Sequence, residues 1–195
     1  MAIKLRDYKR IFVIVALIGV LLSATPAISY LLPVPEGEQL SELYILGPEH
    51  MANSYPFNIV PNQEYAGYVG VENHLGSSAY YALYVKFRGF PDSTEGTVNQ
   101  EPLYEYRFSI KDNEKWEEKF TFSVLRGAIS ANRAVITQLQ INNVKFNLNE
   151  RANSLSGNNG FFYELTFELW KYDVPANQIQ YNNRAVSLQL KFTRT

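Results

Sequence analysis

Apolar and polar residues alternate with a period of two along most of the chain after residue 40. The alternation is clearest in Tyr81–Phe87, Phe161–Leu169 and Val186–Phe192, where every second residue is apolar. This pattern is typical of antiparallel strands that pack one face on a core and turn the other face to water. A parallel sheet needs amphipathic crossover helices, and helical patterns occur only weakly, at Pro48–Ser54 and Val124–Ala134. The sequence therefore predicts an all-β domain.

Turn residues divide the alternating sequence into nine predicted strands. Asn142 and Asn143 separate two alternating runs and predict a two-residue hairpin, because asparagine tolerates positive φ. Seven or more short strands with regular turns are typical of an immunoglobulin-like antiparallel β-sandwich, here with an inserted hairpin at 134–149. A closed barrel is the alternative architecture. The strands are predicted at 40–46, 64–73, 79–89, 103–110, 115–124, 134–141, 144–149, 160–171 and 185–193.

The N-terminal part of the chain has a different composition. Residues 1–10 contain four basic side chains and one acidic side chain, and no charged residue occurs between Ile11 and Pro35. As a helix, residues 11–32 would extend about 33 Å, close to the thickness of the hydrocarbon core of a bilayer. The positive-inside rule then predicts a cytoplasmic tail at 1–10, a single transmembrane signal-anchor helix at 11–32, a linker at 33–39 and an extracellular domain at 40–195.

Two alternatives to a retained membrane anchor remain. Small residues at Ala27 and Ser29 are suited to signal-peptide cleavage near Ser29, which would release a secreted domain. A core helix buried within the protein is the other alternative, and the length of the apolar segment disfavours it. With either a retained anchor or a cleaved signal peptide, the domain after residue 40 lies outside the cell.

Composition excludes several classes of function. The chain has no cysteine, which excludes disulfides and cysteine-ligated metal sites. A net charge of −1 argues against a nucleic-acid-binding protein. The sequence contains no phosphate-binding glycine-rich loop, no G-x-S-x-G and no H-E-x-x-H. We therefore expect a protein that is not an enzyme and that uses no cofactor.

Four polar residues form the most plausible metal-binding group. Glu49, His50, Asn73 and His74 would place two imidazoles and a carboxylate together if the first two predicted strands lie close. The two histidines lie on separate elements, and their spacing matches no metal-binding signature. We therefore favour the alternative in which Asn73 and His74 form a turn, and we expect no metal site.

Tyrosines mark a candidate interaction surface. Tyr80 and Tyr84 lie on the polar face of a predicted strand, and Tyr68 on the preceding strand is expected beside them. Exposed aromatic side chains on a sheet are enriched at recognition surfaces and suit contact with protein or glycan. In the alternative, a second sheet or the inserted hairpin covers them.

The segment from Glu42 to Arg88 resembles a known family. Its motifs are Glu42–Glu49, Tyr55–Ile59 and Val69–His74, followed by the alternating strand Tyr80–Arg88. They resemble an archaeal membrane-protein family catalogued as domain of unknown function 1616. The resemblance implies an archaeal, surface-exposed, immunoglobulin-like module, and it supplies no catalytic residue. His50 and Leu75 depart from the family's usual residues.

These inferences predict a non-enzymatic module, anchored in the cell membrane through 11–32 with its β-sandwich domain outside. We expect it to act in cell-surface protein–protein interaction or in envelope or filament assembly. Its expected partners are a surface-layer or other envelope protein, or a second copy of the chain. One alternative is an accessory subunit of a membrane complex, favoured by the small residues Gly19, Ser23 and Ala27 on one helix face. Another is a metal-binding or hydrolytic surface protein.

Overall fold

The computed structural model describes residues 12–19, 39–90, 100–130, 132–153 and 160–193. The chain divides into two units, Met1–Glu38 and Gln39–Thr195. Residues 12–19 are helical. The predicted tail 1–10, most of the predicted anchor 11–32, the candidate cleavage site at Ser29 and most of the linker 33–39 lie outside the described residues.

Among the described residues, no helix is both long enough and apolar enough to cross a membrane.

The second unit is built from two five-stranded sheets, which confirms the prediction of a mostly β domain. Sheet one has the strand order β1-β3-β6-β7-β8, and sheet two has the order β2-β10-β9-β4-β5. Every pairing is antiparallel except the short parallel contact of β2 with β10. The strands are β1 (Leu40–Leu46), β2 (Asn58–Ile59), β3 (Glu64–His74), β4 (Ala79–Phe90), β5 (Tyr104–Ile110), β6 (Lys115–Ser130), β7 (Arg133–Ile141), β8 (Val144–Asn153), β9 (Phe161–Asp173) and β10 (Gln178–Phe192).

The two sheets pack face to face around one apolar core, so the fold is a β-sandwich. Alternate residues of each strand point inward, as the period of two predicts. Phe120 of sheet one meets Phe167 of sheet two with ring centroids 4.8 Å apart. The core also contains Val69, Val71, Phe122, Leu83, Val85, Leu165 and Leu190, all buried.

The hairpin predicted at Asn142 and Asn143 is confirmed. Both asparagines have positive φ, 46° and 67°, as a two-residue turn between twisted strands requires. The hairpin extends sheet one by two strands, and its turn lies beside Thr121, because the Asn142 backbone N–H donates to the Thr121 carbonyl over 3.0 Å.

The structure differs from the predicted elements at four places. β2 is not among the predicted strands, because two residues are too few to show alternation. β10 begins seven residues earlier than the predicted 185, because a register shift between Tyr181 and Arg184 interrupts the pattern. Most of the weak helical pattern at Val124–Ala134 belongs instead to strands, since register shifts around Arg126 break the period of two. The other weak helical pattern, Pro48–Ser54, forms turns and bends.

Candidate functional site

Asn73 is a buried structural residue. Its side-chain amide donates to the carbonyls of Ser77 and Ile110, over 2.8 and 3.0 Å. Its side-chain oxygen accepts from the Tyr81 hydroxyl over 3.1 Å and from the Leu75 backbone N–H over 3.3 Å. Because each polar atom of the side chain is used, Asn73 ties the end of β3 to the neighbouring loops. The expectation that Asn73 and His74 form a turn is wrong, since both are the last residues of β3 and the bend begins at Leu75.

His50 lies on the outer face of sheet one against the side chains of β3 and β6. Its ring stacks on Tyr68 with centroids 3.5 Å apart, and its Nδ1 lies 3.1 Å from Oε1 of Glu117. The hydroxyl of Tyr44 donates to Oε2 of the same carboxylate over 3.1 Å. Burial, followed by the bond and charge of Glu117, raises the pKa of Tyr44 to about 12.

The Tyr44 ring occupies the space above Gly70. A Cβ atom at Gly70 would lie 2.2 Å from Cζ of Tyr44, which is closer than real Cβ contacts. Glycine at position 70 therefore lets the ring cross the sheet and reach Glu117. The group Tyr44, His50, Tyr68 and Glu117 is a packed polar cluster on this face.

His74 lies at the other end of β3. Its Nδ1 is 3.1 Å from Oδ1 of Asn113, and its Nε2 is 3.5 Å from Oε2 of Glu72. The hydrogen bond with Asn113 is the main cause that raises the pKa of His74 above its usual value. His50 contacts Tyr68, and Tyr68 precedes His74 by six residues along β3. The two histidines are therefore about 20 Å apart.

The arrangement separates the predicted metal ligands. Glu49 is exposed in the turn after Gly47, and Asn73 is buried. No group of three acidic or histidine side chains suited to a metal ion occurs among the described residues.

The three tyrosines of the predicted interaction surface do not share one face. Tyr68 belongs to β3 in sheet one, whereas Tyr80 and Tyr84 belong to β4 in sheet two. The expectation that Tyr68 lies beside the other two is wrong, because the chain changes sheet between β3 and β4. Tyr80 remains exposed, and Tyr84 is partly buried.

The outer face of sheet two contains a buried ion pair. Nζ of Lys86 lies 2.7 Å from Oε2 of Glu168, and the side chains are 1% and 0% exposed. The indole N–H of Trp170 donates to the same carboxylate oxygen over 3.3 Å. The ring of Trp170 lies between those of Tyr84 and Tyr181, whose centroids are 5.3 and 5.6 Å from its own. The alternation predicts that Lys86 and Glu168 lie on the outer face of the sheet and are exposed to water. Both side chains do lie on the outer face, but both are buried.

An open cleft of about 510 Å³ lies at the side of the sandwich, between β5 of sheet two and β6 of sheet one. We call it the side cleft. Tyr106 contacts Tyr104 and Trp116, with ring centroids 5.0 and 5.4 Å away. The side cleft is lined by Tyr104, Tyr106, Arg107, Trp116, Glu118, Lys119, Thr121, Asn142 and Asn143.

The hairpin turn fixes the aromatic part of the side cleft. The side-chain amide of Asn142 donates to the Tyr106 hydroxyl, and its oxygen accepts from the Thr121 backbone N–H over 2.9 Å. Burial raises the pKa of Tyr106 to about 12, although the bond from Asn142 opposes the shift. Tyr106 therefore stays neutral and oriented at ordinary pH.

Strand edges border the side cleft on both sides. β5 is the outermost strand of sheet two. On the other side, the pairing of β6 with β7 begins at Phe122, so β6 extends past β7 from Lys115 to Phe120. Aromatic rings, charged side chains and strand edges together suit the binding of a polypeptide or another polar polymer.

Sequence reasoning did not single out the side cleft. Tyr104, Tyr106 and Trp116 follow the core-facing period, which predicts burial. They are partly exposed because β5 and β6 lie at a side opening of the sandwich. The Asn142–Asn143 turn was the one local signal in this region, and its contact with Tyr106 depends on the tertiary fold.

The described residues of the second unit form a β-sandwich with a side cleft suited to recognition. The profile of the family described as domain of unknown function, DUF1616, matches residues 34–133, and the chain belongs to this family. The resemblance drawn from Glu42–Arg88 is thereby confirmed.

No curated protein matches the sequence. Among solved structures, the chain is similar to one chain in the crystal structure of the complex between zinc 2-glycoprotein and prolactin inducible protein from human seminal plasma. The identity is 10%, the TM-score is 0.38, and the match covers 83% of this chain and 99% of the other. A TM-score this low carries no conclusion about the fold.

Proposed function

We propose that this protein is a non-enzymatic, membrane-anchored extracellular module that binds another protein at the cell surface. The observation that carries the proposal is the side cleft. Tyr104, Tyr106 and Trp116 offer partly exposed rings, and Arg107 and Glu118 place charges of both signs around them. Aromatic and arginine side chains contribute most strongly to binding at protein interfaces.

The position outside the membrane is supported by the N-terminal residues. The described helix at 12–19 exposes its large apolar side chains, including Phe12 at 75% and Leu17 at 62%. Exposed apolar surface of this kind suits contact with lipid or with another apolar segment. The basic residues before it favour a cytoplasmic N-terminus and an exported sandwich.

The strand order supports an immunoglobulin-type module. The order β10-β9-β4-β5 in sheet two corresponds to G-F-C-C′ of a variable-type sandwich, and β1-β3-β6 in sheet one corresponds to A-B-E. In this comparison β7 and β8 are an addition beside β6. Many cell-surface domains share this sandwich architecture, so the fold supports the proposal by analogy.

The proposal is tested with the full chain in intact cells that express it natively. A photo-crosslinking residue at Glu118, which is exposed in the side cleft, should give a defined adduct that external protease removes. The same residue at Gln189, which is exposed on the outer face of sheet two, is the matched control and should give no such adduct.

Two results would overturn the proposal. One is recovery of the chain in the soluble cytosolic fraction, protected from external protease. The other is equal crosslinking from Glu118 and Gln189, which would mean that the side cleft has no specific partner.

A further inference from the structure

Three of the four outer strands of the two sheets are blocked as sites for further strand pairing. β2 has two residues. The pairing of β8 with β7 shifts register between Ile136 and Gln138. On β1, the carbonyls of Ser41 and Ile45 accept hydrogen bonds from Arg184 and Tyr55, over 3.3 and 2.9 Å. Short strands, bulges and covered edges are among the devices by which proteins prevent pairing between sheets.

β5 lacks these devices within the described part of the chain. It pairs with β4 over seven consecutive residues without a register shift, from Tyr104 opposite Val85 to Ile110 opposite Ala79. Among the described residues, no side chain donates to the backbone carbonyls from Tyr104 to Ser109. This strand is therefore a regular, accessible edge beside the side cleft.

We infer that β5 pairs antiparallel with β5 of a second copy of this chain, centred on Tyr106. The inference rests on the proposed interaction role and names the partner. It would join the two five-stranded sheets of a pair of molecules into one continuous sheet, the mode of recognition known as strand addition.

The charges on β5 select both the partner and the register. Glu105 and Arg107 lie on the outer face of sheet two, where Arg107 donates to Glu105 within the chain, and their side chains are 31% and 54% exposed. In a pairing centred on Tyr106, Glu105 of each copy lies opposite Arg107 of the other. Two symmetric ion pairs then form, in addition to the bond within each chain.

Other registers lack this complementarity. A pairing centred on Glu105 or on Arg107 places like charges opposite each other, which destabilises a sheet. A slip by one residue would align the outer face of one sheet with the core face of the other. The register centred on Tyr106 also sets Tyr104 of each copy opposite Phe108 of the other, a favourable aromatic pair on the core side.

The test exchanges charges on the full chain, purified in mild detergent, and measures its molecular mass by sedimentation velocity. We expect the unmodified chain to dimerise, and E105R or R107E alone to raise the dimer dissociation constant at least about tenfold. An equimolar mixture of E105R and R107E should recover dimers, because every cross-strand pair then joins unlike charges. K145E, an exposed charge change on β8, is the matched control and should leave dimerisation unchanged.

The mixture separates pairing between chains from damage within a chain. Each single variant places like charges at 105 and 107 of one molecule, and mixing does not change that contact. Recovery of dimers in the mixture therefore reports the interface itself.

Two results would overturn the inference: a monomeric unmodified chain at concentrations up to about 100 µM, or a dimer that E105R and R107E leave unchanged. Either result leaves the proposed surface role intact if Glu118 still gives its specific adduct. A β5-dependent dimer of a chain that is found in the cytosol would instead overturn the proposed role alone.

Discussion

The outer faces of the two sheets carry similar polar side chains but differ in how far water reaches them. On sheet one, Glu117 is 21% exposed and its partner His50 is 54% exposed. On sheet two, Glu168 and Lys86 are 0% and 1% exposed, and Trp170 donates to the same carboxylate. Both carboxylates belong to strands with the same alternation. The period of two therefore determines the face on which a side chain lies, but not the polarity of its surroundings.

This difference predicts very different costs for removing one partner of each pair. A buried charge that loses its partner retains its desolvation cost, whereas an exposed charge is solvated by water. The following predictions use that contrast.

The largest effect is expected at the buried pair of sheet two. Glu168→Leu should lower the free energy of unfolding by about 3–5 kcal/mol, because the Lys86 ammonium loses this carboxylate while it stays buried. The double variant Lys86→Met/Glu168→Leu should recover most of the loss, since it removes both charges. Urea unfolding gives the free energy of unfolding of the unmodified chain, the single variant and the double variant. A loss below about 1 kcal/mol for Glu168→Leu would mean that the pair is solvated like a surface pair.

Gly70 tests the packing of the polar cluster on sheet one. Gly70→Ala should cost about 1–3 kcal/mol, because the new methyl group meets the Tyr44 ring. In a Tyr44→Ala background the same substitution should cost less, and the difference gives the coupling energy between the two positions. Additive costs for the two substitutions would contradict the contact between Tyr44 and Gly70.

The raised pKa of Tyr44 predicts a loss of stability at alkaline pH. Its folded pKa of about 12 exceeds the usual value near 10, so the neutral phenol stabilises the fold. That contribution is complete below about pH 10 and is lost as the pH rises to about 12. The free energy of unfolding, measured across this pH range, should fall more steeply for the unmodified chain than for Tyr44→Phe. Parallel curves for the two chains would contradict the raised pKa.

The smallest effect is expected at the exposed histidine of sheet one. His50→Ala should lower the free energy of unfolding by no more than about 1 kcal/mol, since the pair with Glu117 is partly solvated.

We also expect Zn²⁺ to leave the melting temperature unchanged in the unmodified chain and in His50→Ala/His74→Ala. A rise with Zn²⁺ that the double variant abolishes would restore the metal-binding alternative.

The local features of the fold were largely predictable. The Tyr81–Phe87 alternation placed β4 correctly, and the Asn142–Asn143 pair specified its hairpin, because both signals depend on backbone geometry over a few residues. The placement of Tyr68 was not predictable, since no local pattern states whether consecutive strands remain in one sheet. The contact of His50 with Glu117 joins residues 67 positions apart, so it depends on the pairing of β3 with β6.

The sequence by itself determined the strands, their inward and outward faces and the main turns, because steric preferences and hydrophobic periodicity act over short distances. The tertiary structure alone decided which strands became edges, where the sandwich opened into the side cleft, and which polar side chains were removed from water. Those properties depend on how the sheets pack, and the same alternating residues can lie in water or in a desolvated site according to what covers them.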